Sequence, residues 1–185
     1  MNEVEAVKTK DDIHMVSRLL EKHGSSDYRD IWELGINAAL RISDLLSLKF
    51  SDVEGLEVLN LVEGKTKKVR SIKLNSKAQE IIQRRRNDNL ADVWLFQAKG
   101  NRARSSEKAI DRSTVARKFK EIGDIIGVQL GTHSMRKTRG YAMWSDGVPI
   151  EVICKVLNHS TPAVTMRYIG IEKQDIHQSY DDYVL

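Results

Sequence analysis

The sequence predicts an α+β fold, mainly α-helical, with a small three-stranded antiparallel sheet. Three observations carry that reading. Apolar residues recur at helical spacing through much of both halves of the chain. The spacing changes to strand-like runs only over residues 56–74 and at Trp94-Leu95-Phe96. Both prolines, Pro149 and Pro162, stand where a helix can begin. With 185 residues and no repeat, low-complexity stretch or Pro/Gly-rich linker, residues 1–185 read as one domain.

The elements follow in order. Residues 11–23 place Ile13, Val16 and Leu20 on one face, with Asp11 or Asp12 as the cap. Residues 27–40 are apolar on most sides, which predicts a central helix. A short helix follows Ser43 and carries Leu45, Leu46 and Leu48. Residues 56–62 and 68–74 partly alternate on either side of GKTK, a β-hairpin signal. Helix resumes at 76–86 from a Ser76 cap, and Trp94-Leu95-Phe96 reads as the third strand. Residues 99–108 (KGNRARSSEK) predict a polar loop. From Ser113 to Ile126, Val115, Phe119, Ile122 and Ile126 line up on a helix. Residues 133–146 read as helix up to Gly147. Pro149 opens a helix whose Ile150, Ile153, Cys154 and Leu157 share a face, and Pro162 opens another that leads to Tyr168. The tail from Ile171 reads as a final polar, acidic helix.

Composition narrows the function. A hydrophobic fraction of 41% describes a globular chain rather than a disordered one. The lone Cys154 excludes an internal disulfide and offers no cysteine zinc site. No apolar run approaches the ~20 residues that span a bilayer, and MNEVEAVKTKDD has no apolar signal core. The expected compartment is the cytoplasm, with no membrane partner. The net charge of +4 is modest but unevenly spread. Residues 64–74 hold five basic residues and no acid, and residues 99–120 hold eight against Glu107 and Asp111, whereas the tail carries Glu172, Asp175, Asp181 and Asp182 against Lys173. That asymmetry fits a phosphate-rich partner, although Lys and Arg runs also simply solvate a surface.

Several common chemistries fail on inspection. Gly64-Lys65-Thr66 imitates the end of a P-loop, but Leu59 stands where that motif needs glycine, and KVRSIKL alternates like a strand. No H-x-x-x-H, Cys pair or clustered acidic triad offers a metal cage, and no G-x-S-x-G elbow is present. What remains is a scattered set: Arg41 after an apolar helix, Lys65 at a hairpin tip, His133 and Arg136 one turn apart, His159 in LNHSTP, and Tyr168. Taken singly, each has a bland reading: a surface ion-pair arginine, a solvating lysine, a cap or loop histidine, a half-buried packing tyrosine.

Together, the set resembles the motif series of the tyrosine recombinase (phage integrase) family over about residues 11–170. ALRISDLLSL resembles the box with the first catalytic arginine, here Arg41, followed by Ser43 and the acidic Asp44. GKTKKVRSIKL resembles the β-hairpin with the catalytic lysine, here Lys65. THSMRKT resembles the H-x-x-R box, giving His133 and Arg136. LNHSTPAVTMRY resembles the terminal box, with His159 nine residues before Tyr168. Lys137 stands where the family often has histidine, and Leu157-Asn158 where it usually has Leu-Gly. Asn tolerates the left-handed conformation better than most residues.

The resemblance implies a tyrosine recombinase-like catalytic domain that cuts and rejoins DNA through a 3′-phosphotyrosyl bond, with no cofactor and no metal. Tyr168 is then the nucleophile, Arg41 and Arg136 the clamp on the phosphate oxygens, and Lys65 the general acid. His133 is the proton partner of Tyr168, His159 a hydrogen-bond donor to the phosphate, and Asp44 an orienting group. Lys67, Lys68, Arg70, Arg102, Arg104, Arg112, Lys118 and Arg139 are candidates for phosphate contact, whereas Arg84-Arg85-Arg86 reads as the solvated end of a helix. The implied partner is double-stranded DNA, bound by a homo-tetramer assembled from a chain that can be monomeric in solution. The compartment implied is the cytoplasm, on the nucleoid when bound. Residues 171–185 are expected to dock on a neighbouring protomer. Many relatives carry an N-terminal core-binding domain, and none is expected within residues 1–185, so the sequence reads either as a short standalone recombinase, like those that invert fimbrial promoter elements, or as a truncated catalytic domain. Alternative readings are a non-catalytic DNA-binding regulator on the same scaffold, a type IB topoisomerase-like nicking-closing enzyme, and a generic nucleic-acid module.

Overall fold

Helix α2 (Ser26–Ala38) is the axis around which the chain winds, as its apolar sequence requires. It buries Ile31, Trp32, Leu34 and Ala38 against α1 (Lys10–His23), α4 (Ser76–Asp88) and α6 (Ser134–Ser145). Trp32 meets Phe119 of α5 (Arg112–Ile126) edge to face, with ring centroids 5.6 Å apart. This is a computed structural model, and it describes residues 4–99, 107–171, 177, 180–182 and 184. Arg102, Arg104 and most of the tail expected as a helix lie outside the described residues.

The caps differ slightly from the sequence expectation. Thr9, not Asp11 or Asp12, caps α1 by accepting from the Asp12 amide at 3.1 Å. The two aspartates sit in the first turn, where the helix dipole favours them. Asn75, one residue before the expected Ser76, caps α4, and Asp111 caps α5. The short helix α3 (Ile42–Leu46) follows α2 through Ala39, which sits in the left-handed region at φ 49°.

Strands β1 (Val58–Val62) and β2 (Val69–Lys73) pair antiparallel with Val62 opposite Val69, so residues 63–68 form the hairpin tip. The sheet has two strands, not the expected three, among the described residues. Trp94 bridges Lys49 instead, and the ladder ends there because the Gln97 side chain accepts from the Val93 and Trp94 amides and folds the chain into a turn. Arg84–Arg86 also depart from expectation. Arg85 is buried and bonded to Asp27, Asp30 and the Leu95 carbonyl, and Arg86 stacks on Phe50 at 3.8 Å. These arginines tie α4 to the core.

Two apolar clusters result. The larger runs from α1 to α6. The smaller gathers Ala39, Ile153, Leu157 and Ile169 beneath α7 (Ile150–Val156) and α8 (Pro162–Ile169). Gly140 lets α8 close on α6: a Cβ there would stand 2.6 Å from Ile169 Cγ2 and 3.0 Å from Leu157 Cδ1. That close approach brings the end of α8 against the helix that carries Arg136. No described helix is long and apolar enough to cross a membrane.

Candidate active site

The candidate residues come from five separate places and converge where the two clusters meet. Arg41 holds the N-cap position of α3 in extended backbone, φ −68° and ψ 148°. His133 holds the equivalent position of α6 and makes no side-chain cap bond. Arg136 lies one turn further on and is 1% exposed. Its guanidinium donates to the carbonyls of Ala39 and Leu157, which pins α6 to the end of α2 and the end of α7. Two of its five N–H groups are thereby used on the backbone.

Tyr168 ends α8. Its hydroxyl lies 3.3 Å from His133 Nδ1, and its ring meets the His159 ring edge to face at 4.7 Å. His159 Nδ1 lies 3.1 Å from the hydroxyl of buried Thr165. The turn before it holds Asn158 at φ 52°, the left-handed conformation for which Asn is a natural replacement for glycine. Lys137 Nζ lies over the Tyr168 ring at 5.4 Å. Lys65 is exposed at the hairpin tip, and its charge reaches His133. Asp44 accepts from the Gly64 amide at 3.0 Å, which ties the hairpin tip to α3.

The electrostatics follow from this crowd of cations. Burial, then Arg112, Arg136, Lys65 and Arg41, lower the His133 pKa. Burial, then Arg136 and Arg41, push His159 down to about 4. Both imidazoles are therefore neutral at pH 7. Burial raises the Tyr168 phenol above its usual value, while Arg136 and Arg41 pull the other way by favouring the phenolate. Such a phenol is protonated at neutral pH and needs a proton acceptor, and a neutral imidazole stands beside it.

Sequence reasoning missed Glu63. Leu59, Leu61 and Glu63 share the inward face of β1 and its extension, so the alternation itself could have flagged a carboxylate where leucine belongs. Glu63 is 0% exposed and lies 2.5 Å from Arg41. Arg70 is not a surface phosphate contact either. It is 8% exposed and donates to the carbonyls of Ala39 and Val156, with Glu63 at 3.4 Å. Lys118 is engaged as well, donating at 2.7 Å to the His23 carbonyl at the end of α1. Lys67 and Lys68 are exposed at the hairpin tip, and Arg112 is exposed at the start of α5, where its charge acts on His133. Arg139 lines a cleft of about 360 Å³ with Arg70, Lys73, Lys155 and Asn158.

A phenol set against neutral imidazoles, beside guanidiniums with too few acids to balance them, defines a site suited to a phosphate ester. The chain belongs to the phage integrase family, matched over residues 8–175. It is 34% identical over 181 residues to the probable integrase/recombinase YoeC of Bacillus subtilis (strain 168), covering 97% of each chain. It is 27% identical to tyrosine recombinase XerC of Thermodesulfovibrio yellowstonii over 82% of this chain, but spans only 52% of that relative. Among solved structures, XerA recombinase shares the fold with a TM-score of 0.73 at 18% identity, over 98% of this chain and 65% of that one. The Tn1549 transposon integrase in complex with circular intermediate DNA gives 0.74 at 16% identity, over 98% and 67%.

Proposed function

We propose that this protein is a site-specific DNA recombinase that cuts and rejoins strands through a 3′-phosphotyrosyl intermediate. The observation that carries the reading is the Tyr168 hydroxyl 3.3 Å from a neutral His133, with Arg136 and Arg41 close enough to favour the phenolate. Tyr168 oxygen attacks the phosphorus, and its proton passes to His133 Nδ1. The 5′-oxygen leaves and takes a proton from Lys65. Arg41 and Arg136 hold the non-bridging oxygens as charge gathers there. For His159 to offer its other ring N–H to the phosphate, Thr165 must direct its hydroxyl proton to Nδ1 rather than to the Thr161 carbonyl, 3.2 Å away. One phosphoester replaces another, so the bond energy is kept and the reverse reaction rejoins the strand.

The partner is double-stranded DNA. Exchange between two duplexes calls for four protomers, with Lys67, Lys68, Arg112 and Arg139 as candidates to grip the backbones. The test is a nicked suicide duplex carrying the recombination site. Wild type should accumulate a covalent complex, and Tyr168→Phe should lose it while binding the DNA as before. A covalent complex that survives in Tyr168→Phe overturns the assignment.

A further inference from the structure

Glu63 has no part in the scheme above, yet it touches more of the site than any other acid. A carboxylate buried without partners costs several kcal/mol, so its donors must compensate. Oε2 lies 2.5 Å from Arg41, 2.6 Å from the Thr66 hydroxyl and 2.9 Å from Asn158 Nδ2, and Oε1 lies 3.4 Å from Arg70. Burial alone would raise the Glu63 pKa, but Arg41, Thr66 and Asn158 hold it at about 2, so it stays ionised at neutral pH. The four partners come from four segments: the start of α3, the hairpin tip, β2, and the turn that carries His159.

The geometry is that of an aiming device. Arg41, Arg70 and Arg136 repel one another, and an unpaired Arg41 would swing towards solvent, as a long side chain with ~2 kcal/mol of rotamer entropy can. Glu63 meets Arg41 through one nitrogen, Nη1, and the Arg41 charge acts on Tyr168, so the carboxylate anchors a cation that faces the nucleophile electrostatically. A misplacement of ~1 Å in such a group can cost ~100-fold in rate. Resting on the recombinase reading, we propose that Glu63 is a positioning residue for strand cleavage, with its Oε2 fixing the Arg41 guanidinium for the scissile phosphate.

The experiment uses suicide duplexes with oxygen or sulfur as the bridging 5′-atom. A thiolate leaves without needing a proton, so sulfur rescues defects in leaving-group protonation and not defects in the phosphate clamp. Glu63→Gln should form the phosphotyrosyl complex roughly 100-fold more slowly on both substrates, with DNA affinity little changed and a lower thermal midpoint, the rate being read well below that midpoint on folded protein. Lys65→Ala, run alongside, should be rescued by sulfur. A wild-type rate for Glu63→Gln overturns the proposal, and so does a defect that sulfur removes. If Glu63→Gln does not fold, Thr66→Val and Asn158→Gly decide, since each removes one donor and keeps the carboxylate. Slowing on both substrates supports the proposal, and wild-type rates on both overturn it. Absence of any covalent complex with wild type defeats the recombinase reading itself, a result distinct from all of these.

Discussion

Arg85 and Arg136 are both buried guanidiniums that donate to backbone carbonyls, yet among the described residues only Arg85 makes direct ion pairs with acids. Arg85, 3% exposed, meets Asp27 at 2.7 Å and Asp30 at 3.2 Å, and lies over the Phe96 ring at 4.5 Å. Its neighbours Arg29 and Arg84 share Asp30 and reach Glu21 and Glu80. Around Arg136 the count is reversed. Arg41, Arg70 and Arg136 stand together, and the ion pairs they make among the described residues go to Glu63 alone. A buried cation whose anion is built in serves the fold. A buried cluster with surplus positive charge costs the free fold stability that the rest of the core must offset, and an anion bound there would relieve that cost.

Paired substitutions break this contrast if it is wrong. Arg85→Met removes the buried partner of Asp27, one of the three arginines on Asp30 and the donor to the Leu95 carbonyl. It should cost about 3–5 kcal/mol in denaturant unfolding, with the cleavage rate of the folded fraction unchanged. Arg41→Ala should do the opposite. Cleavage should slow by ~100-fold or more, while stability falls by less than in Arg85→Met, because one of three mutually repelling cations is gone. Similar profiles for the two variants would erase the distinction.

The same surplus charge sharpens into a pH dependence. His159 is pushed down to about 4 by burial and the guanidiniums, against ~6.5 in the unfolded chain. The folded state therefore binds fewer protons. The stability tied to this difference is fully present above pH 6.5 and is lost as pH falls from there through about 4. His159→Gln should flatten the unfolding free energy across that window. An unchanged slope would mean that the cluster does not act on His159.

Much of this could be read from the sequence because helices declare themselves by period. The aligned Val115, Phe119 and Ile122 are all buried on α5, and Pro162 opens α8 as expected. Arg41, His133, Arg136, His159 and Tyr168 converge, though 127 positions separate the first from the last, and the three short motifs that hold them name these side chains without naming distances. What the sequence hid was the direction each charge faces. Arg84-Arg85-Arg86 read as a solvated helix end because the acids that bury Arg85 lie more than fifty residues earlier. Arg70 sits in a basic run, but its inward place on β2 sends it to Ala39 and Val156. Trp94-Leu95-Phe96 has strand composition, but the Gln97 side chain, three residues after Trp94, takes up the Val93 and Trp94 amides, and the pairing stays an isolated bridge.

Lysines offer the finest version of the contrast. Lys67 and Lys68 are exposed at the hairpin tip, whereas Lys118 donates to the His23 carbonyl and to Glu121 Oε2, each at 2.7 Å. A lysine that releases a counterion on meeting a phosphate contributes ~0.9 to the slope of log affinity against log salt. One already bonded to a helix C-terminus contributes to that helix instead, by less than about 1 kcal/mol. Lys67→Ala and Lys68→Ala should each lower the salt slope of DNA binding by about 0.9 at unchanged stability. Lys118→Ala should leave the slope alone and lower the unfolding free energy slightly. A slope that drops in Lys118→Ala would show that DNA draws this side chain off α1, and that a partner within the chain does not by itself remove a cation from the interface.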